Sequence, residues 1–186
     1  MPDLSDAELV ARSISGDEAA YAALVRRHYR AAFAVALART GHRSDAEDVC
    51  HDAFVRAAAR LEDCRHPDRY VHWLCTIVRN QAHNHVSRAF VRRTTELTPE
   101  TAASADDPAQ RLELTELRGQ LEQALVALTP VQREVVLLHD LEGWSHGDIA
   151  KSVGTSEGMS RQHLFHARRR LRQLLGADIS REYFNE

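Results

Sequence analysis

Apolar positions in this chain recur three and four residues apart, and no long stretch alternates with period two. That periodicity predicts amphipathic helices and no sheet. After Ser44, the residues Ala46, Val49, Cys50, Ala53, Phe54, Ala57 and Leu61 fall on one stripe. A second helix contains Trp73, Leu74, Ile77 and Val78 and runs on towards Phe90. Near the C-terminus a helix around Val131–Asp140 is followed by a short one from Ser145 to Ser152. A turn at Val153-Gly154-Thr155 then leads into a long helix from Ser156 to about Leu175. Ile149, Ala150 and Val153 form the apolar side of the short helix, and Leu164, Ala167, Leu171 and Leu174 the buried stripe of the long one. Helix starts are written as hydroxyl residues with Glu, Gln or Asp three positions on. Ser5/Glu8, Ser15/Glu18, Ser44/Glu47, Thr129/Gln132 and Ser145/Asp148 all fit a capping box, and Pro130 sits where a first-turn proline is tolerated.

The helical pattern lapses once. From Thr94 to about Gln110 the residues are mostly Thr, Pro, Ala, Ser and Asp, which predicts a flexible linker over 94–111. Such a linker can extend roughly 60 Å at ~3.3–3.6 Å per residue. The expected architecture is therefore all-α, with two small helical domains, 1–93 and 112–186, joined by an acidic tether. The chain has 186 residues, 44% hydrophobic and 27% charged, enough for two such cores. No apolar run is long enough to span a membrane, so no membrane insertion is expected. The acidic start Met1-Pro2-Asp3 lacks a signal core, and three irregularly spaced cysteines make no disulfide framework, so a cytoplasmic location is expected.

Charge sharpens the picture. The net charge is −3, yet residues 96–128 carry 2 Arg/Lys against 7 Asp/Glu while the segments either side are balanced or basic. No acid lies between Asp68 and Glu96, a span holding Arg69, Arg79, Arg88, Arg92 and Arg93. None lies between Glu157 and Asp178, a span holding Arg161, Arg168, Arg169, Arg170 and Arg172. Two basic stretches divided by an acidic one suit nucleic acid held at two places, although solvated helix faces would read alike. The short helix, glycine turn and basic long helix over 145–175 make a helix-turn-helix, whose second helix enters the major groove. Arg161, Gln162, Phe165, His166 and Arg169 lie opposite its apolar stripe. Arginine and glutamine there can make bidentate contacts to purine edges. Read without such a role, the segment is a helical hairpin with a charged surface.

The run Ala127-Leu128-Thr129-Pro130-Val131-Gln132-Arg133-Glu134-Val135-Val136 resembles the opening of region four of bacterial sigma factors. Glu142-Gly143-Trp144-Ser145-His146-Gly147-Asp148-Ile149-Ala150, Ser156-Glu157-Gly158-Met159-Ser160-Arg161 and Ala167-Arg168-Arg169-Arg170-Leu171 continue the likeness. The first domain resembles region two. Asp45-Ala46-Glu47-Asp48-Val49 matches the acidic helix start that engages the polymerase clamp, and Trp73-Leu74-Cys75-Thr76-Ile77-Val78-Arg79-Asn80 the segment that reads the minus-ten element. The chain is thus similar to the small extracytoplasmic-function subgroup over roughly residues 8–93 and 112–175.

The resemblance implies a sigma factor, not an enzyme and without cofactor or metal, that directs RNA polymerase to two-part promoters. It implies core binding through Asp45, Glu47, Asp48, Asp52 and Phe54 at the β′ clamp helices, with the β flap as a further core partner. Minus-ten contacts would come from Trp73, Arg79, Asn80, His83, Asn84, Ser87 and Arg88, where unpaired bases need stacking and edge contacts beside basic groups. Minus-thirty-five contacts would come from Arg161, Gln162, Phe165, His166, Arg168 and Arg169. An anti-sigma partner is implied by the resemblance alone. Read without the family, the acids complement a helix dipole, Phe54 and Trp73 belong to the core, and the whole is a helix-turn-helix regulator that recruits no polymerase. The chain departs from the family at Cys50-His51, Asn84, Met159-Ser160-Arg161-Gln162-His163 and His166, which bears on the promoter read and not on the class. Cys50-His51, Cys64-x-His66 and His72-x-x-Cys75 suggest a metal or redox site, but their spacings match no common zinc motif and Cys50 belongs to an apolar stripe.

Overall fold

The computed structural model describes the backbone of residues 4–95 and 119–183, with side chains over 4–88 and 119–175. The described residues are helical, with no strand. Ser5 caps α1 (Asp6–Ile14) with the expected box: Glu8 N–H donates to its hydroxyl, and Glu8 Oε2 accepts from Ser5 N at 2.8 Å. Two of the other expected caps move. Ser15 closes α1, and Asp17 caps α2 (Glu18–Thr40), accepting from Ala20 N–H at 3.1 Å across a turn where Gly16 has φ +92°. Helix α3 (Arg43–Ala59) begins before Ser44 and has no side-chain cap, because left-handed Gly41 already ends α2 and turns the chain at His42.

α2 is the centre of the N-terminal unit. Ala31, Ala32, Ala34, Val35, Ala36 and Ala38 are buried around nearly its whole circumference, so its neighbours approach closely on several sides. α3 packs on it with the predicted stripe from Ala46 to Ala57 buried throughout. Short 3₁₀ turns at Leu61–Asp63 and Pro67–Arg69 lead into α4 (Tyr70–Thr95), which buries Tyr70, Leu74, Cys75, Val78 and Ala82. α4 takes in Thr94 and Thr95, the first residues of the expected linker. The rest of that linker lies outside the described residues.

In the C-terminal unit residues 119–126 are helical (α5). Thr129 and Gln132 form a full capping box at α6 (Pro130–Val136). The single helix expected over Val131–Asp140 is instead α6 followed by a π-helical turn, Leu137–Leu141. α7 (His146–Val153) ends at left-handed Gly154, φ +77°, and α8 (Glu157–Tyr183) crosses it. The α8 stripe runs Leu164, Ala167, Leu171 and then Leu175, 9% exposed, rather than Leu174, 44% exposed, because the last step is four residues and not three.

The two units are packed together rather than held apart. Arg133 of α6 is buried and donates to the carbonyls of Leu125, Val126 and Leu128, closing the helix before it, and to Ala38 of α2 at 2.9 Å. Gly41 is tight there as well: a Cβ would sit 3.3 Å from Arg133 Nη1. Replacing Arg133 by Met keeps the stem and deprives these carbonyls of their donor. It should lower unfolding stability by about 2–4 kcal/mol, read from urea denaturation.

Candidate polymerase and promoter interfaces

The acids predicted to meet the polymerase stand together on α3. Glu47, Asp48 and Asp52 are exposed, and Asp45 is half-exposed with His85 Nε2 3.4 Å away. Glu47 pairs with Arg43 one turn earlier, at 2.8 Å. Exposed ion pairs of this kind are weak and readily exchanged for a partner's cations. Phe54 does not join them. It is 6% exposed, its carbonyl accepts from Tyr21, and its ring stacks 6.3 Å from Tyr29, so it supports the helix from the core side.

α4 carries the second set. Asn80, His83, Asn84, Ser87 and Arg88 are exposed, at positions that line one side of a helix. Trp73 is half-buried, its ring 5.8 Å from Tyr70, and it borders a shallow hollow of about 270 Å³ lined by Asp63, Arg65, His66, Arg69 and His72. Periodicity had no means of finding this hollow, because its walls come from the 3₁₀ turns as well as from α4. Arg79 departs from the expectation. It points away from the exposed row into the seam between the units, donating to Glu134 of α6 and, at 2.7 Å, to the Ser152 hydroxyl of α7. A guanidinium so engaged is not presented to a strand.

On α8, Arg161, Gln162, Phe165, His166, Arg169 and Arg170 are exposed, and Met159, not among the expected contact residues, joins them at the helix start. Phe165 is 62% exposed, with the His166 ring edge-on at 5.5 Å, and Arg161 pairs with Glu157 at 3.1 Å. Arg168, expected on DNA, is held inward by both oxygens of Asp140, at 3.1 and 2.7 Å. That tie fixes α8 to the π turn. His146 at the start of α7 shares a hydrogen bond with the buried Ser160 hydroxyl at 2.9 Å, and its ring stacks on His139 at 4.7 Å. Burial first, then the neighbouring His139, holds the His146 pKa below its ordinary value. A neutral ring suits a crossing already bordered by Arg161 and Arg168.

The described helices thus present an acidic face on α3, a polar face flanked by Trp73 on α4, and a helix-turn-helix in α7 and α8. A family model described as Sigma-70 region 2 matches residues 24–90, and one described as Sigma-70, region 4 matches residues 118–171. The ECF RNA polymerase sigma factor SigM of Mycobacterium tuberculosis is 33% identical over 172 residues, covering 92% of this chain and 85% of that protein. The RNA polymerase sigma factor CarQ of Myxococcus xanthus is 35% identical over 140 residues, 70% of this chain and 75% of that one. Among solved structures, CnrH in complex with the cytosolic domain of CnrY aligns with TM-score 0.66 and 29% identity, covering 93% of this chain and 98% of that one. Sigma factor RpoE in complex with the anti-sigma factor NepR from Bartonella quintana also aligns at 0.66, with 26% identity over 85% and 98%. The chain belongs to the extracytoplasmic-function subgroup of the sigma-70 family. It is a sigma factor: it binds RNA polymerase and promoter DNA and initiates transcription, a regulatory role. None of the described helices is long and apolar enough to cross a membrane.

The cysteines lie apart from these faces. Cys50, Cys64 and Cys75 are all buried and free, and among the described residues no three His, Cys, Asp or Glu side chains gather as metal ligands. His72 packs edge-on against Trp144 at 5.4 Å instead. Burial pushes the thiols of Cys50 and Cys75 up to about 12 and raises that of Cys64. All three are therefore protonated at neutral pH, and the thiolate is the reactive form. Ellman's reagent should leave the native protein unlabelled over minutes and release the full thiol count once urea unfolds it.

Proposed function

We propose that residues 1–93 hold core polymerase through the acidic face of α3 and the melted minus-ten strands through α4, while residues 112–186 read the minus-thirty-five element through α8. Residues 94–111 then serve as the tether. The observation that carries this division is the separation of the exposed acids on α3 from the exposed amides and cations on α4. One face suits basic clamp helices and the other a phosphate strand. Asn80 and Asn84 offer edge contacts to unpaired bases, and Trp73 with its hollow offers an apolar rest beside Arg65 and Arg69. The C-terminal unit also meets the β flap. The site of action is the cytoplasm, where polymerase is.

An anti-sigma factor is proposed as the regulator. The similarity to CnrH and RpoE, whose structures are complexes, the latter with an anti-sigma factor, supports it. Such a partner would act by covering the polymerase-binding faces.

The test of the division is core binding. Asp45→Arg with Asp48→Arg should abolish retention of purified core polymerase in a pull-down while circular dichroism stays unchanged. Undiminished retention would remove the acidic face of α3 from the interface and place core binding elsewhere on the chain.

On α8, Arg161 and Gln162 lie early and outward and so serve base readout, whereas Arg169 and Arg170 bind phosphate. Arg161→Ala should cost about 1–3 kcal/mol and relax preference at one or two upstream positions. Arg170→Ala should weaken all sequences alike and make the salt slope shallower by roughly one unit. Selection from a randomised upstream element at two salt concentrations separates the two effects.

A further inference from the structure

Glu134 has no solvent exposure at all, yet it is ionisable, and both of its oxygens are matched from the other unit. Arg39 of α2 donates Nε and Nη2 to Oε2 at 3.2 and 2.9 Å. Arg79 of α4 donates Nε to Oε1 at 2.9 Å, and its Nη2 reaches both that oxygen and Ser152. A carboxylate can be this deeply buried only while cations and hydrogen bonds replace its water. Among the described residues its side-chain partners, Arg39 and Arg79, belong to α2 and α4, so the burial lasts only while the units stay together. Around the cluster the seam is sealed by Trp144 on His72, by Arg133 on the Ala38 carbonyl and by Arg30 on Glu142 at 3.1 Å.

This closed pairing conflicts with the work of the two faces. It lays α7, the first helix of the helix-turn-helix, directly over α4. Elements labelled minus-ten and minus-thirty-five are about 25 base pairs apart, roughly 85 Å at ~3.4 Å per pair. Helices in contact cannot serve sites that far apart, and Arg79 is occupied meanwhile.

We propose that the Arg39–Glu134–Arg79 cluster is an autoinhibitory latch. Glu134 acts as an internal substitute for DNA phosphate, holding the free protein closed and withholding Arg79 from the minus-ten strand. The withholding half rests on the proposed minus-ten role of α4; the closure half does not. Opening exchanges one anionic partner of Arg79 for another, so the electrostatic loss on separating the units is partly recovered on the strand.

The experiment uses the full chain. Glu134→Gln keeps the side-chain volume and leaves two guanidiniums facing each other without a counter-charge. Arg39→Gln weakens the same cluster from the other unit and lies outside every proposed DNA contact. Small-angle scattering should show a larger radius of gyration for both variants. Fluorescence anisotropy with a random-sequence single-stranded DNA of about 12 nucleotides should show about fivefold tighter binding for both, and addition of Arg79→Gln to Glu134→Gln should remove that gain. The double variant should still scatter as the open form. An unchanged radius in both single variants overturns the latch. A larger radius with no gain in strand affinity leaves closure standing, overturns the withholding of Arg79 and counts against the minus-ten role assigned to it.

Discussion

A fully buried carboxylate must find cations inside the protein, and Glu134 finds them in helices more than fifty residues away in sequence. The relative placement of the two units follows from that requirement. Buried ion clusters are poor evidence of extra stability, since desolvation offsets most of the attraction. They are strict about geometry, however: two guanidiniums must converge on one carboxylate from different helices. Small residues make the convergence possible. α2 is alanine-rich where it meets its neighbours, and Gly41 ends it just where Arg133 must pass to reach the Ala38 carbonyl. A larger side chain at Gly41 would press on Arg133, and Arg133 also closes α5.

The same economy of contacts positions α8. Arg168 and Asp140 fasten α8 to the π turn, Ser160 and His146 fasten it to α7, and Leu164, Ala167 and Leu171 supply the apolar seat. Arg168 is thus structural while Arg161, Arg169 and Arg170 remain outward. A basic helix in which every arginine faced solvent would bind phosphate strongly and orient poorly. Dividing the arginines between an internal acid and the solvent face keeps positive charge outward on a helix whose orientation is fixed.

Much of this was legible in the chain. The α3 stripe from Ala46 to Ala57 is buried as its spacing predicts, and the boxes at Ser5 and Thr129 form because a cap needs only residues three apart. Ser15 and Ser44 show where local rules compete. Each has its acid three residues on, but Asp17 offers a stronger acceptor beside Gly16, and Gly41 sets the start of α3 earlier. The exposed rows of α4 and α8 were readable as faces. Phe54, placed among contact residues by resemblance, is returned to the core by the same stripe that predicts its helix.

Helix periodicity, caps and the run of motif residues are local properties, so the sequence by itself determined the helical class, the two units and the family to which they belong. It also determined which helix faces are polar. It did not determine which charge meets which. Arg79 and Arg168 look like their exposed neighbours in the chain, and only the fold turns one towards Glu134 and the other towards Asp140. The hollow beside Trp73 and the burial of Glu134 are likewise products of assembly. The physical reason is that a helix presents faces from short-range geometry, whereas the partner of a charge depends on which helices are brought within a few ångströms, and that is settled by packing across the whole molecule.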